Sequence, residues 1–134
     1  APGIEHAMGH AFGKIFSVHH GCAVGLFTPY MMQFVSKYSD RFLDLARYLG
    51  VGGESSREIM DSLVNLYISF MKSVDCPYTI PELGITRSQL DENFEQLLDY
   101  TVNDTCTLMS IRPVTREEYR KLYLCAFTGN RVDF

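Results

Sequence analysis

The stretch Gly3-Ile4-Glu5-His6-Ala7-Met8-Gly9-His10-Ala11-Phe12-Gly13-Lys14-Ile15-Phe16-Ser17-Val18-His19-His20-Gly21 holds all four histidines of the chain, and the rest is organised around it. Ile4, Met8, Phe12 and Ile15 make an apolar stripe at 4-4-3 spacing, which predicts a helix over 4–16. His6 and His10 are four apart, so that helix projects both from one face, one turn above the other. Ala7, Gly9, Ala11 and Gly13 are small enough to let a second helix or a ligand come close. After Phe16-Ser17-Val18, the pair His19-His20 runs into Gly21, which reads as a turn into the next helix. Neutral imidazole is the commonest metal ligand, and the positive potential of a helix start favours the unprotonated ring. The segment therefore reads as part of a metal or catalytic site built from one helix and the start of another. The same spacing also suits two polar residues on a half-buried helix face. The zincin pattern does not apply, because Ala7 stands where that motif needs a glutamate base.

Downstream the helical signals continue. A second helix is predicted from about Gly21 to Tyr38; it is apolar nearly all round, as expected of the buried centre of a domain, and Pro29 should kink it. Ser39 or Asp40 can cap a third helix, Arg41 to Leu49, ended by Gly50. Ser55-x-x-Glu58 is a capping box before a long helix to about Val74, with Ile59, Leu63, Leu66, Phe70 and Val74 on one face. Asp75-Cys76-Pro77 breaks it, and a loop with Pro81 and Gly84 follows. Thr86-x-x-Gln89 opens a helix that turns Leu90, Phe94, Leu97, Leu98 and Thr101 inward. Thr115-x-x-Glu118 starts a last one carrying Tyr119, Leu122, Tyr123 and Ala126. With six helices and no alternating strand pattern, the expected class is all-α, a helical bundle.

A chain of 134 residues suits one domain with a reasonable core. A net charge of −4 and a pI near 5.5 argue against a nucleic-acid or anionic-membrane surface. No apolar run is long enough to span a bilayer and no signal peptide is visible. Cys22, Cys76, Cys106 and Cys125 form no CxxC pair, which fits a reduced, cytoplasmic thiol inventory better than a zinc knuckle. The start at Ala1-Pro2, without methionine, suggests a piece of a longer protein.

His6-x-x-x-His10-x-x-Gly13, then six residues, then His20-Gly21, resembles the signature of the iron-containing (group III) alcohol dehydrogenases. The likeness continues through Phe27-Thr28-Pro29-Tyr30-Met31-Met32-Gln33-Phe34, similar to that family's Leu-Pro-x-Val-Met-x-Phe helix. It returns at Asp104-Thr105-Cys106-Thr107, similar to Asp-x-Cys-Thr, and at Arg112-Pro113. The resemblance implies the helical C-terminal domain of such an enzyme over residues 1–134, present in part. It further implies that the N-terminal α/β nucleotide-binding domain is absent from this chain, consistent with the lack of any Gly-rich dinucleotide fingerprint.

Carried over residue by residue, His6 and His20 match two metal-binding histidines. His10 matches the histidine beside the nicotinamide and the substrate, which makes it both the catalytic and the cofactor-contacting candidate. The family's other two ligands, an aspartate and a histidine, come from upstream and have no counterpart here. The implied cofactors are a divalent metal, Fe²⁺ or alternatively Zn²⁺, and NAD or NADP bound mainly by the missing domain. The implied partners are a small alcohol or aldehyde and that α/β domain. Two departures stand out: His19 replaces the family's proline, and Ser110-Ile111 replaces Asn-Pro before Arg112. Arg112 reads as a helix-end or ion-pair residue and not as catalytic. The chain alone is expected to be inactive and to self-associate, as a homo-oligomer, through exposed apolar surface on helices one and two. The alternative function is a non-catalytic helical module, truncated or degenerate, that docks onto a partner.

Overall fold

Helix α2 (His20–Ser36) is the axis of the molecule, and its apolar circumference explains why. Ala23, Leu26, Phe27, Tyr30, Met32, Phe34 and Val35 are all buried, so every side of it meets another element. The computed structural model describes residues 3–134, and within them there are six α-helices and no strand. The others are α1 (Ile4–Phe16), α3 (Arg41–Tyr48), α4 (Ser56–Ser73), α5 (Arg87–Val102) and α6 (Arg116–Thr128). Short 3-10 helices at Ile80–Leu83 and Thr105–Met109 were not anticipated from the sequence. The Ala1-Pro2 start lies outside the described residues.

Two of the three expected capping boxes are complete: Thr86 with Gln89 on α5, and Thr115 with Glu118 on α6. At α4 the Ser55 hydroxyl accepts from the Glu58 amide as expected, but the Glu58 carboxylate turns to the Glu54 amide, 2.8 Å away. Gly50 takes the left-handed conformation (φ +72°) that ends α3.

The larger core is built from α1, α2, α5 and α6. Ile4, Met8 and Phe12 of α1 are fully buried, and Leu90, Phe94, Leu97, Leu98, Tyr119, Leu122, Tyr123 and Ala126 face inward as predicted. Aromatic rings cross edge-to-face through its centre, Phe12 on Phe27 and Phe27 on Tyr123, each at 5.3 Å between centroids. The Tyr123 hydroxyl lies 2.7 Å from Thr101 Oγ1 and 3.3 Å from the Met8 carbonyl, tying α6 to α5 and α1. Burial pushes that phenol up, so it stays neutral. A smaller cluster joins α2, α3 and α4 through Met32, Leu43, Ala46, Met60, Leu63 and Val64.

Pro29 does not break α2, which runs on to Ser36. Proline has no N–H to give the carbonyl four residues back. That carbonyl, Gly25, instead accepts a hydrogen bond of 3.0 Å from the Tyr67 hydroxyl of α4. Gly25 also leaves room for α4, because a Cβ there would lie 2.9 Å from Met71 Cε.

Two expectations need correction. On α4 the buried residues are Met60, Leu63, Val64 and Met71, whereas Leu66 and Phe70 of the predicted stripe are 46% and 60% exposed. The periodicity was sound, but α2 and α3 meet only one edge of that stripe. Nor do α1 and α2 carry the large exposed apolar side chains expected of them, because α5 packs on α1, and α3, α4 and α6 pack on α2; sedimentation is the measure of self-association itself. Exposed apolar side chains lie instead at α3 and α4, where Leu45, Leu49, Leu66 and Phe70 border a groove of about 450 Å³, and at Leu108, Met109 and Ile111 on and after the second 3-10 helix. Arg112 acts at a helix end, as read from the sequence. It donates to the Phe34 carbonyl of α2 at 2.7 Å and to the Phe134 carbonyl at 3.2 Å, pairs with Glu118 at 3.1 Å, and stacks its guanidinium over the Phe34 ring.

Candidate metal centre

The site begins with a glycine. A Cβ on Gly9 would lie 2.7 Å from Val24 Cγ2 and 3.0 Å from the Val24 backbone nitrogen, so α1 and α2 cross there in backbone contact. Four residues on, a Cβ at Gly13 would meet the Val18 carbonyl at 2.9 Å, so the connecting turn folds back tightly on α1. Ser17 takes the left-handed conformation (φ 56°) that makes the turn possible. His19 becomes the N-cap position of α2, and His20 its first residue.

That crossing brings three of the four histidines together. The ring centroids of His6 and His10 are 5.9 Å apart, those of His6 and His20 5.6 Å, and those of His10 and His20 5.1 Å with the rings stacked. His19 is exposed and makes no ring contact with the other three. Its side chain lies near Gly21, so the departure from proline leaves His20 in the cluster.

Two carboxylates hold this group, and neither was read from the sequence as part of it. Glu5 is buried; its Oε1 sits 2.8 Å from His6 Nδ1 and accepts from the Gly3 amide at 3.1 Å. Its Oε2 is also buried and has no hydrogen-bond partner among the described residues. Asp104 approaches from the second 3-10 helix, with Oδ2 at 2.9 Å from His10 Nδ1. Its Oδ1 accepts from the Cys106 amide at 2.8 Å, which makes Asp104 the cap of that helix. Burial works against ionisation of Asp104, but the Cys106 amide and His10 outweigh it and hold the carboxyl below the usual carboxylate range.

The segment is anchored from behind. Thr107 donates to the Thr101 carbonyl and accepts from the Tyr119 hydroxyl, both at 2.7 Å. Cys106 is buried beside Asp104; burial pushes its thiol up and the neighbouring carboxylate adds to this. One donor atom each from His10, Asp104 and Cys106 lie within 4.8 Å of one another. All four cysteines are unpaired thiols.

The residues fit a divalent cation. Imidazole rings converge from two helices, and no hydrogen bond among the described residues occupies Nε2 of His6 or His10, although only His10, Asp104 and Cys106 bring their donor atoms within 4.8 Å of one another. A buried carboxylate with an unpartnered oxygen adds negative field beside them. Imidazole with carboxylate is a donor set suited to zinc and iron. Among the described residues no helix is long and apolar enough to cross a membrane.

Comparison with known proteins places the chain. It is 32% identical over 133 residues to an NADPH-dependent butanol dehydrogenase from Clostridium saccharobutylicum, covering 98% of this chain and 34% of that protein. The chain thus spans about a third of that relative's length. An aldehyde-alcohol dehydrogenase from Clostridium acetobutylicum is 23% identical over 87 residues, 65% of this chain and 10% of that protein. Among solved structures, an alcohol dehydrogenase from Oenococcus oeni superposes with a TM-score of 0.81 at 25% identity, covering 93% of this chain and 32% of that one. The C-terminal model of the Fe-containing alcohol dehydrogenases matches residues 1–127, and the chain belongs to that family.

Proposed function

We propose that the chain is the helical, metal-holding part of an NAD(P)-linked alcohol dehydrogenase that interconverts a small alcohol and its aldehyde or ketone. The observation that carries the reading is the convergence of His6, His10 and His20, from two helices, at centroid separations of 5.1–5.9 Å. His6 and His20 are assigned to hold the divalent metal, Fe²⁺ or Zn²⁺. In the intact enzyme the metal supplies Lewis acidity that lowers the pKa of an alcohol oxygen, and the nicotinamide supplies the hydride acceptor.

His10 does the proton work. In the oxidising direction the alcohol O–H bond would break and an N–H bond would form at His10 Nε2, with the bound nicotinamide supplying the hydride acceptor. The product is the carbonyl compound, and the reverse sequence reduces it. Glu5 holds the His6 ring through Nδ1, which keeps Nε2 of that ring available. The NADPH and butanol in the name of the 32%-identical relative support a short alcohol and NADPH as the pair to try first. The α/β domain that would bind the nucleotide, and the remaining metal ligands, belong to the part of the parent protein upstream of these residues. On that reading the 134-residue chain has no turnover by itself.

Calorimetric titration with Zn²⁺, an air-stable stand-in for Fe²⁺, tests the assignment on this chain. His6→Ala and His20→Ala should each weaken binding about tenfold or more, on the scale of lost ligand support, and His19→Ala should leave it unchanged. A second reading follows from the proximity of His10, Asp104 and Cys106 donors. If His10→Ala and Cys106→Ala abolish binding while His6→Ala and His20→Ala do not, the cation belongs to that trio and the proposed ligand pair is wrong.

A further inference from the structure

We propose that Asp104 is a positioning residue for His10: it holds the His10 proton on Nδ1, leaving Nε2 as the acceptor nitrogen of the ring. This rests on the reading above that His10 takes the substrate proton.

An ionised carboxylate accepts hydrogen bonds and donates none. An oxygen of Asp104 lies 2.9 Å from His10 Nδ1, so the proton between them must belong to the ring. A neutral imidazole carries one N–H, and placing it at Nδ1 strips Nε2. The contact links residues 94 positions apart, so it is a product of the fold and not of chain proximity. The partner doing the holding is the better fixed of the two. The Asp104 side chain is 19% exposed against 40% for His10. Its other oxygen is committed to the Cys106 amide, and Thr107 is bonded to the Thr101 carbonyl and Tyr119.

The chemical consequence concerns both states of the ring. Before reaction Nε2 is the only basic nitrogen His10 can offer. After it accepts the alcohol proton, both nitrogens are protonated, and the Nδ1–H to carboxylate bond becomes charge-assisted. The new proton resides on Nε2, the Nδ1 proton stays where it was, and Asp104 is never protonated. This is the orienting role that the carboxylate plays in a Ser-His-Asp triad.

The Cys106 amide makes the substitution Asp104→Asn unusually informative. That N–H requires an acceptor, so the Asn carbonyl must occupy the Oδ1 position and its NH₂ must face His10. Nδ1 then has to accept, and the proton moves to Nε2. The cap on the 3-10 helix survives, so a purely structural role for Asp104 would leave the tautomer unmoved.

The test is ¹⁵N NMR of the histidine-labelled chain with a chelator present, above the imidazole titration range. In the wild type the unprotonated, pyridine-type resonance of His10 should belong to Nε2. In Asp104→Asn it should shift to Nδ1, with the His6 signals unmoved. A wild-type His10 protonated mainly at Nε2, or an unchanged tautomer in folded Asp104→Asn, overturns the proposal. Should that variant fail to fold, the wild-type spectrum alone decides. No metal, cofactor or alcohol enters the measurement, so failure of the zinc titration and failure of this pairing are separate results.

Discussion

The two apolar clusters of this molecule are built on opposite plans. The large one, beneath the histidines, closes completely: aromatic rings interlock, α1 and α2 touch backbone to backbone at Gly9, and polar atoms such as the Tyr123 hydroxyl find partners inside. The small one, between α2, α3 and α4, buries six residues and leaves Leu45, Leu49, Leu66 and Phe70 in an open groove beside them. The difference teaches where precision is held. The side chains of the candidate site are themselves partly exposed, yet they stand on the closely packed cluster. The open groove adjoins the site's edge, since Leu45 lines both the groove and a cavity that reaches Glu5.

The largest effect should come from the crossing. Gly9→Ala puts a Cβ 2.7 Å from Val24 Cγ2 and 3.0 Å from backbone that cannot rotate away. Destabilisation of about 1–3 kcal/mol is expected for such overpacking, with weaker Zn²⁺ binding because His20 moves relative to His6. Urea unfolding and calorimetry read both. A variant with unchanged stability and unchanged binding would break the contrast between the two sides.

A smaller effect belongs to Glu118, which sits at the seam where Arg112 ties α6 to α2 and the C-terminal residue. Burial raises its pKa, but bonds from the Thr115 amide and hydroxyl and the charge of Arg112 lower it more, so the folded value lies below the ordinary 4.5. A depressed carboxyl contributes stability that is present above its unfolded pKa and is lost as pH falls through the folded one. Glu118→Gln keeps the capping geometry and removes the charge. It should cost about 0.5–1.5 kcal/mol at neutral pH, and the gap from wild type should close as pH drops below 4.5. A gap that persists undiminished in acid would assign the loss to packing. Thermal unfolding across that range is the measurement.

The smallest effects should lie in the groove. Leu66→Ser and Phe70→Ser remove exposed side chains and should each change stability within about 0.5 kcal/mol. They should, however, reduce any concentration-dependent association seen by sedimentation, since contiguous exposed apolar surface promotes it. If they unfold the chain instead, the two clusters are not as different as the geometry implies.

Much of this was readable in advance, for local reasons. Capping boxes are written within four residues, so Thr86-x-x-Gln89 and Thr115-x-x-Glu118 announced their helices correctly. The inward faces of α5 and α6 followed from period alone because both pack on a neighbour along their length. The same reasoning misjudged α4, whose stripe is equally periodic, because burial depends on what lies opposite. Thr79-x-x-Glu82 caps the 3-10 helix at Ile80, a signature of the right spacing hidden by Pro81 and Gly84 in what read as a loop.

At the site, the grouping of His6, His10 and His20 was legible through the family signature, but their carboxylate partners were not. Glu5 adjoins His6, though neighbours in a helix do not normally face each other. Asp104 was noted as part of a similar segment, but only the fold brings it 94 residues back to His10. An acidic residue directly before a candidate ligand was the one available hint.

Pro29 has a wider consequence. By leaving the Gly25 carbonyl to Tyr67, it moves one bond of α2 onto a side chain of α4. If α4 swings away, the Gly25 carbonyl loses this donor, and Pro29 has no N–H to take its place. Opening of the α3–α4 pair is therefore expected to be coupled to loosening of the helix that carries His20. In native-state hydrogen exchange, the amides of α4 and the middle of α2 should respond to denaturant together, as one cooperative unit of opening, and Tyr67→Phe should uncouple them.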